Sequence, residues 1–190
     1  MLIALIGKKR TGKDTFADYI VENYNFITNS FALPIKKACQ IIFDFTDEQI
    51  NTDLKEEIDP RWGISPRQSF QIIGTDVFRN YLPNNFEEFK HFRDEFWIKR
   101  LQIWYQNNKD KNVIVSDVRF INENKAIKEL GGILIKIENK NINYIDNHES
   151  EKLIDDLPYD HIIHNDNTLN EYYKKIDKLM NKITKKRLDD

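Results

Sequence analysis

A short apolar run, Leu2 to Ile6, leads directly into Gly7-Lys8-Lys9-Arg10-Thr11-Gly12-Lys13-Asp14-Thr15. A segment of helical period follows, with Phe16, Ala17, Ile20 and Tyr24 on one face. No other stretch constrains the fold as tightly. A strand, a glycine-flanked basic turn and an amphipathic helix, in that order, are what a phosphate-binding loop needs around it. Gly7 and Gly12 are expected to let the backbone turn sharply and bring successive N–H groups against phosphate oxygens. The helix start adds a partial positive charge and unpaired N–H groups. Lys13 would bridge the β and γ phosphates and follow the transferring group, and Thr15 is the candidate hydroxyl for a magnesium shell. Lys8, Lys9 and Arg10 add cations that suit further phosphate contacts. The residue directly after the lysine is Asp14, where Ser or Thr is usual. Two readings stay open for it: a carboxylate facing metal or a neighbouring cation, or an ordinary acid at a helix start.

The same alternation runs through the rest of the chain. Leu2 to Ile6, Phe26 to Phe31, Val113 to Val115, Ile133 to Ile137 and Ile162 to Ile163 read as strands. Their unbroken Ile, Val and Leu content fits a parallel sheet covered on both faces. Asp14 to Tyr24, Pro34 to Phe45, Pro66 to Tyr81, Phe86 to Tyr105, Asn122 to Leu130 and Leu169 to Ile183 read as helices, with Pro34 and Pro66 suited to first turns. The pattern predicts a three-layer α/β domain with right-handed crossovers, spanning residues 1–190 without an internal boundary. Residues 34–107 exceed one crossover and predict a helical lobe. The stretch of about 138–160 sits where a phosphotransferase carries a lid, with His148, Glu149 and Glu151 in its acidic segment.

Composition narrows the partners. Twenty-nine Lys and Arg against 31 Asp and Glu, with a net charge of −2, argue against stable nucleic-acid binding and against an anionic membrane surface. Met1 to Ile6 is far too short to span a bilayer and lacks the flanks of a signal peptide. A single cysteine excludes an intrachain disulfide framework and points to a reducing, cytoplasmic setting.

Two further polar groups suit the same chemistry. Val113-Ile114-Val115-Ser116-Asp117-Val118-Arg119 is a strand ending in Asp-x-Arg, and ligands bind at the carboxyl ends of such strands. Asp117 could hold magnesium through water or orient an acceptor. Arg119 could clamp a phosphate or stabilise transferring charge; a strand-end cap with its ion-pair partner is the alternative. Arg67, Gln71 and Thr75 are spaced by four, and Arg79 continues the stripe beside Asp76. Two arginines, an amide and a hydroxyl fit a phosphate and a base edge, or simply an exposed polar face. Lys36, one turn into the helix after the second strand, could reach the same phosphate. Trp62, Trp97 and Trp104 could stack on a base but fit core positions equally well.

Together these pieces resemble the deoxynucleoside monophosphate kinases of T-even-type phages and large DNA viruses, a branch of the P-loop kinases. The resemblance rests on Gly7 to Thr15, Pro34-Ile35-Lys36, Ile73-Gly74-Thr75-Asp76, Asp117-Val118-Arg119, the His148 segment and Asn165-Asp166-Asn167-Thr168-Leu169, in family order across nearly the whole chain. It implies the five-stranded P-loop kinase sheet with a helical substrate lobe and small lid. It also implies ATP, Mg2+, and phosphoryl transfer to a deoxynucleoside 5′-monophosphate. Carried over, Gly7, Lys8, Lys9, Arg10, Thr11, Gly12, Lys13, Asp14 and Thr15 hold the nucleotide. Lys36, Arg67, Gln71, Thr75, Asp76, Arg79 and Arg119 face the acceptor, Lys13, Asp117 and Arg119 serve the chemistry, and Thr15 and Asp117 face the metal. Members can be homodimeric. Phosphomevalonate kinases share the Lys-Asp loop and a His-Glu/Ser-rich lid, so a related small-molecule kinase is the alternative, and an acceptor-independent ATPase or switch a more distant one. A host-cell cytoplasmic location follows from the viral resemblance.

Overall fold

Strands whose side chains are apolar on both faces need a layer on each side, and β1 (Leu2–Ile6) is buried at every position. In the computed structural model, which describes residues 1–141 and 153–189 with backbone alone at 153 and 186–189, β1 is the central strand of five. The others are β2 (Phe26–Asn29), β3 (Asn112–Val118), β4 (Ile133–Glu138) and β5 (His161–His164), in the order β2-β3-β1-β4-β5. All pair in parallel. Ile3, Leu5, Ile114, Ile135 and Ile137 from the strands pack with Phe16 and Ile20 of α1 (Lys13–Tyr24) and with Tyr172, Ile176 and Met180 of α8 (Leu169–Asp189). Full burial of each large aliphatic side chain contributes about 1.5–3 kcal/mol. The expected α/β architecture is the one observed: all five strands are present, and their carboxyl ends form one edge.

The chain folds as two compact units, Met1–Asn29 with Asn108–Asp190, and Ser30–Asn107. The first holds the sheet, α1, α7 (Ile121–Glu129) and α8. Its second strand stops at Asn29, two residues short of the expected end. The Ser30 hydroxyl accepts the Leu33 N–H at 2.9 Å and turns the chain into a helix, although Phe31 remains buried. The last helix continues to Asp189, beyond the expected Ile183.

The second unit is helical: α2 (Leu33–Phe43), α3 (Asp47–Asn51), α4 (Pro66–Gln71), α5 (Leu82–Asn85) and α6 (Phe96–Gln106). Pro34 and Pro66 occupy first turns, as their missing N–H predicts. Cys39, Phe45, Ile50 and Phe70 form its core.

Two helices expected here break up. The segment Pro66 to Tyr81 becomes α4 followed by a π-helical stretch, Ile72–Tyr81, which bonds i to i−5 up to the Leu82 N–H on the Val77 carbonyl. Gly74 lies in this stretch. A Cβ there would approach the Ile35 Cδ1 to 2.7 Å, and the Gly74 carbonyl accepts the Trp97 Nε1–H at 2.9 Å. The segment Phe86 to Tyr105 is helical in its second half alone, after 3-10 turns at Glu87–Phe89 and Arg93–Glu95. Phe89, Phe92 and Phe96 pack against one another there, and the Phe92 N–H donates to the Phe89 carbonyl at 2.9 Å, an i to i−3 bond of 3-10 rather than α geometry. Among the described residues no helix is long and apolar enough to cross a membrane.

Candidate active site

The loop between β1 and α1 has the predicted context but divides its work differently among its residues. Gly12 lies in the left-handed region (φ 102°), and so does Arg10 (φ 68°), a conformation that costs energy in a residue with a Cβ. Gly7, by contrast, is needed for close approach. A Cβ on it would come within 2.6 Å of the Ile137 carbonyl and 2.8 Å of Thr11 Oγ1. The expectation that both glycines make the turn is corrected accordingly: Arg10 and Gly12 turn, and Gly7 lets the loop lie against β4.

The Lys8 carbonyl gathers the loop. It accepts the Thr11 N–H at 3.3 Å, the Thr11 hydroxyl at 2.9 Å and the Lys13 ammonium at 2.7 Å. The residue before α1 is Gly12, which has no side chain to cap the helix start, where helix N–H groups and the positive dipole end suit an anion. Lys13 and Thr15 are half-buried in this first turn, Asp14 is exposed in it, and Lys9 is half-buried in the loop. Asp14 thus occupies a helix-start position, and like Glu22 it helps raise the Asp18 carboxyl, behind the larger effect of burial.

β3 brings Asp117 and Arg119 to the same edge. Ala4 pairs with Val115 and Ile6 with Val118, so two steps of β1 face three of β3. The extra residue is a bulge over Ser116-Asp117, a device that re-aims side chains at the ends of strands. Asp117 and Arg119 flank Val118, which is level with the last residue before the loop, and both are half-buried. Glu123, 2% exposed, fixes the turn that follows. Its Oε2 accepts the Arg119 N–H at 2.9 Å and the Phe120 N–H at 3.3 Å.

On the β4 side, Gly7, Lys8, Thr11, Lys136, Glu138 and Asp155 help line a cleft of about 200 Å³. Lys8 pairs with Asp155 at 2.6 Å. Lys136, 7% exposed, donates to the Asp155 carbonyl at 3.2 Å and pairs with Glu138 at 3.1 Å. Two side chains reach the loop from behind: Asn165 Nδ2 donates to the Thr11 carbonyl and Tyr172 OH to the Gly12 carbonyl, each at 3.0 Å.

In the helical unit, Lys36 is half-buried in α2, and Arg67 in α4 donates to Glu56 Oε1 at 3.2 Å and 3.3 Å. Gln71, Thr75 and Asp76 are exposed and Arg79 is half-buried. An α-helix carries every fourth residue about 40° further round its axis. The wider i to i−5 turn from Ile72 onward reverses that drift, so Arg67, Gln71, Thr75 and Arg79 form a straighter stripe than α geometry would give. Of the tryptophans, Trp97 is buried and bonded to Gly74, Trp104 is half-buried, and Trp62 is 47% exposed with its Nε1–H on the Phe43 carbonyl. The expected lid residues His148, Glu149 and Glu151 lie outside the described residues.

Glu123, Lys136, Asp155 and Tyr172 were not legible as site residues. Glu123 has no Ser, Thr or Asp three residues earlier to flag a cap, and Tyr172 falls on an apolar helical face that reads as core.

A five-stranded parallel sheet in this order, with a phosphate loop joining β1 to α1, defines the P-loop kinase class. Shikimate kinase from Aquifex aeolicus vf5 shares the fold, with a TM-score of 0.50 at 17% identity over 97% of this chain and 98% of that one. The chain belongs to the deoxynucleotide monophosphate kinase family, whose model matches residues 1–57 and 40–176. A protein of Acanthamoeba polyphaga mimivirus assigned as a deoxynucleotide monophosphate kinase is 41% identical over 184 residues, 93% of this chain and 94% of that protein. The deoxynucleotide monophosphate kinase of Escherichia phage RB69 is 24% identical over 241 residues, 94% of this chain and 99% of its own length. The chain is therefore a phosphotransferase, and membership of a kinase family implies ATP as its phosphoryl donor.

Proposed function

We propose that this chain transfers the γ-phosphoryl group of ATP to a deoxynucleoside 5′-monophosphate, giving the diphosphate and ADP for DNA synthesis in a viral, host-cytoplasmic setting. The observation that carries the reading is the loop, with Gly12 leading into the helix start and Lys13 in its first turn, in a chain that matches a nucleotide-kinase family along nearly its whole length.

The chemistry is one of positioning and charge. An oxygen of the acceptor phosphate, already ionised, attacks the γ-phosphorus in line; the bond from that phosphorus to the β-bridging oxygen breaks, and ADP leaves with the electron pair. No general base is required. The loop amides and Lys13 hold the donor phosphates, and Lys13 and Arg119 neutralise charge that develops on the transferring group. Lys36, Arg67, Gln71, Thr75, Asp76 and Arg79 bind the acceptor. Arg79, half-buried on the stripe, is assigned its phosphate. Arg67 engages Glu56 and must exchange that partner to contribute.

The residues fit Mg2+. Among the described residues no group of three His, Cys, Asp or Glu could hold a metal. Mg2+ in kinases takes one or two protein groups and fills its shell with phosphate oxygens and water. Thr15 and Asp117 would supply those groups, and the ion, when bound, would withdraw charge from the donor phosphates.

The test is ADP release with magnesium across all deoxy- and ribonucleoside monophosphates plus phosphomevalonate. Turnover with one or more deoxynucleoside monophosphates is expected. Turnover with phosphomevalonate alone, or ADP release that needs no acceptor, would overturn the reading.

A further inference from the structure

Behind the phosphate loop, two side chains from separate elements reach consecutive backbone carbonyls. Asn165 follows β5, and its own N–H is held by the Glu138 carbonyl at 2.7 Å. Its side-chain amide donates to the Thr11 carbonyl at 3.0 Å. Tyr172, in the first turn of α8, is 1% exposed, and its hydroxyl donates to the Gly12 carbonyl at 3.0 Å. That carbonyl also accepts the Phe16 N–H at 3.0 Å, so the tyrosine takes its second lone pair.

A peptide group is planar, with its C=O and N–H pointing opposite ways. Anchoring the Thr11 carbonyl therefore aims the Gly12 N–H to the far side, and anchoring the Gly12 carbonyl does the same for the Lys13 N–H. Successive peptides alternate in direction in extended backbone; the left-handed conformation of Gly12 instead lets these two face the same way. The space behind the loop is filled as well: a Cβ on Gly12 would collide with Asn165 Nδ2 and lie 3.3 Å from Tyr172 Cε1.

We infer that Asn165 and Tyr172 are positioning residues that pre-set the Gly12 and Lys13 amides to receive the donor nucleotide's phosphates. This rests on the reading of the loop as a nucleotide cradle. Burial pushes the Tyr172 hydroxyl above its ordinary pKa, so it remains a donor at neutral pH. Neither residue touches the acceptor in this scheme, so their effects should fall on one substrate.

Tyr172→Phe keeps the ring and removes the hydroxyl; Asn165→Ala removes the amide, and Asn165→Ser replaces it if the alanine variant does not fold. Each single variant should weaken ADP binding, measured by calorimetry without turnover, by about tenfold. Each should raise the ATP KM alike and leave the deoxynucleoside monophosphate KM within about twofold. In 1H–15N spectra of the free protein, the Gly12 and Lys13 amide resonances should move. The double variant should lose less than the product of the single losses, because both anchors serve one loop. Lower Tm with unchanged ADP affinity, or equal rises in both KM values, would reduce the pair to structural roles. Lys13→Ala run alongside separates two failures. If it keeps near-wild-type turnover, the cradle reading falls and this inference with it. If it is inactive while the other variants bind ADP normally, the anchoring alone is overturned.

Discussion

On the proposed reading, the sheet unit and the helical unit would offer phosphate groups two different kinds of surface. In the first, the proposed binding groups are mainly backbone: the amides of a loop in which Thr11 and Lys13 donate to the Lys8 carbonyl, Asn165 to the Thr11 carbonyl and Tyr172 to the Gly12 carbonyl. In the second, the proposed groups are the ends of long side chains, Lys36, Arg67 and Arg79, with Gln71, Thr75 and Asp76 exposed on helical surface. A backbone cradle is rigid and indifferent to the base attached to the phosphate. A surface of side chains is adjustable, and that is where discrimination between acceptors can be built. The donor site should therefore fail through loss of charge or geometry, and the acceptor site by degrees.

The largest effect expected is at the loop. Lys13→Ala should lower turnover by about a thousandfold or more, since the cation acts chiefly on charge that develops in transfer. Its Tm should stay within a few degrees of wild type in a thermal melt, because Lys13 is only half-buried. Retention of most activity would remove the distinction between the units, because the cradle would then not be the donor site.

Next comes Gly74→Ala in the helical unit. The added methyl presses on Ile35 Cδ1, and the cost of such overpacking is about 1–3 kcal/mol, readable as a lower Cm in urea. Because the π-helical stretch carries Thr75, Asp76 and Arg79, the acceptor KM should rise while the ATP KM stays put. Equal rises would mean the two substrates do not divide between the units.

How much of this was legible in the sequence differs between the two units for a physical reason. The loop could be read because backbone geometry forces glycine and lysine at set spacings, and the strands because two-sided burial leaves continuous Ile and Val. The β3 bulge at Ser116-Asp117 left no such mark, since no residue type is obligatory there. In the helical unit, the periodicity of Pro66 to Tyr81 was read as α, although i to i−5 bonding across Gly74 replaces it. Phe86 to Tyr105 reads as one helix, but two 3-10 turns, Glu87–Phe89 and Arg93–Glu95, precede an α-helix that begins only at Phe96. Segments 46–65 carried no strong period, yet they hold a capping box at Thr46–Gln49 and a clasp around Asp59.

That clasp gives the smallest effect. Arg61 donates to the buried Asp59 carboxylate at 2.8 Å and 3.0 Å, and Gln49 at 2.9 Å. The arginine's hydrogen bonds, with the glutamine's, hold the Asp59 carboxyl well below the usual carboxylate range. A depressed folded-state pKa stabilises above the unfolded value of about 3.9 and loses that contribution as pH falls toward the folded one. Asp59→Asn should therefore melt below wild type at neutral pH, and the two curves should converge on acidification from about pH 4. A gap that stays constant with pH would show that the charge itself contributes nothing. ADP binding should be unchanged, since the clasp belongs to the helical unit.

The division of substrates is tested most directly by steady-state kinetics of Arg79→Ala, with each substrate varied at saturation of the other. A hydrogen-bonded charge on the acceptor phosphate predicts a rise in deoxynucleoside monophosphate KM of about tenfold to a hundredfold. The ATP KM should stay within about twofold. Equal rises in both, or a rise for ATP alone, would contradict the assignment of donor to the loop and acceptor to the helical unit.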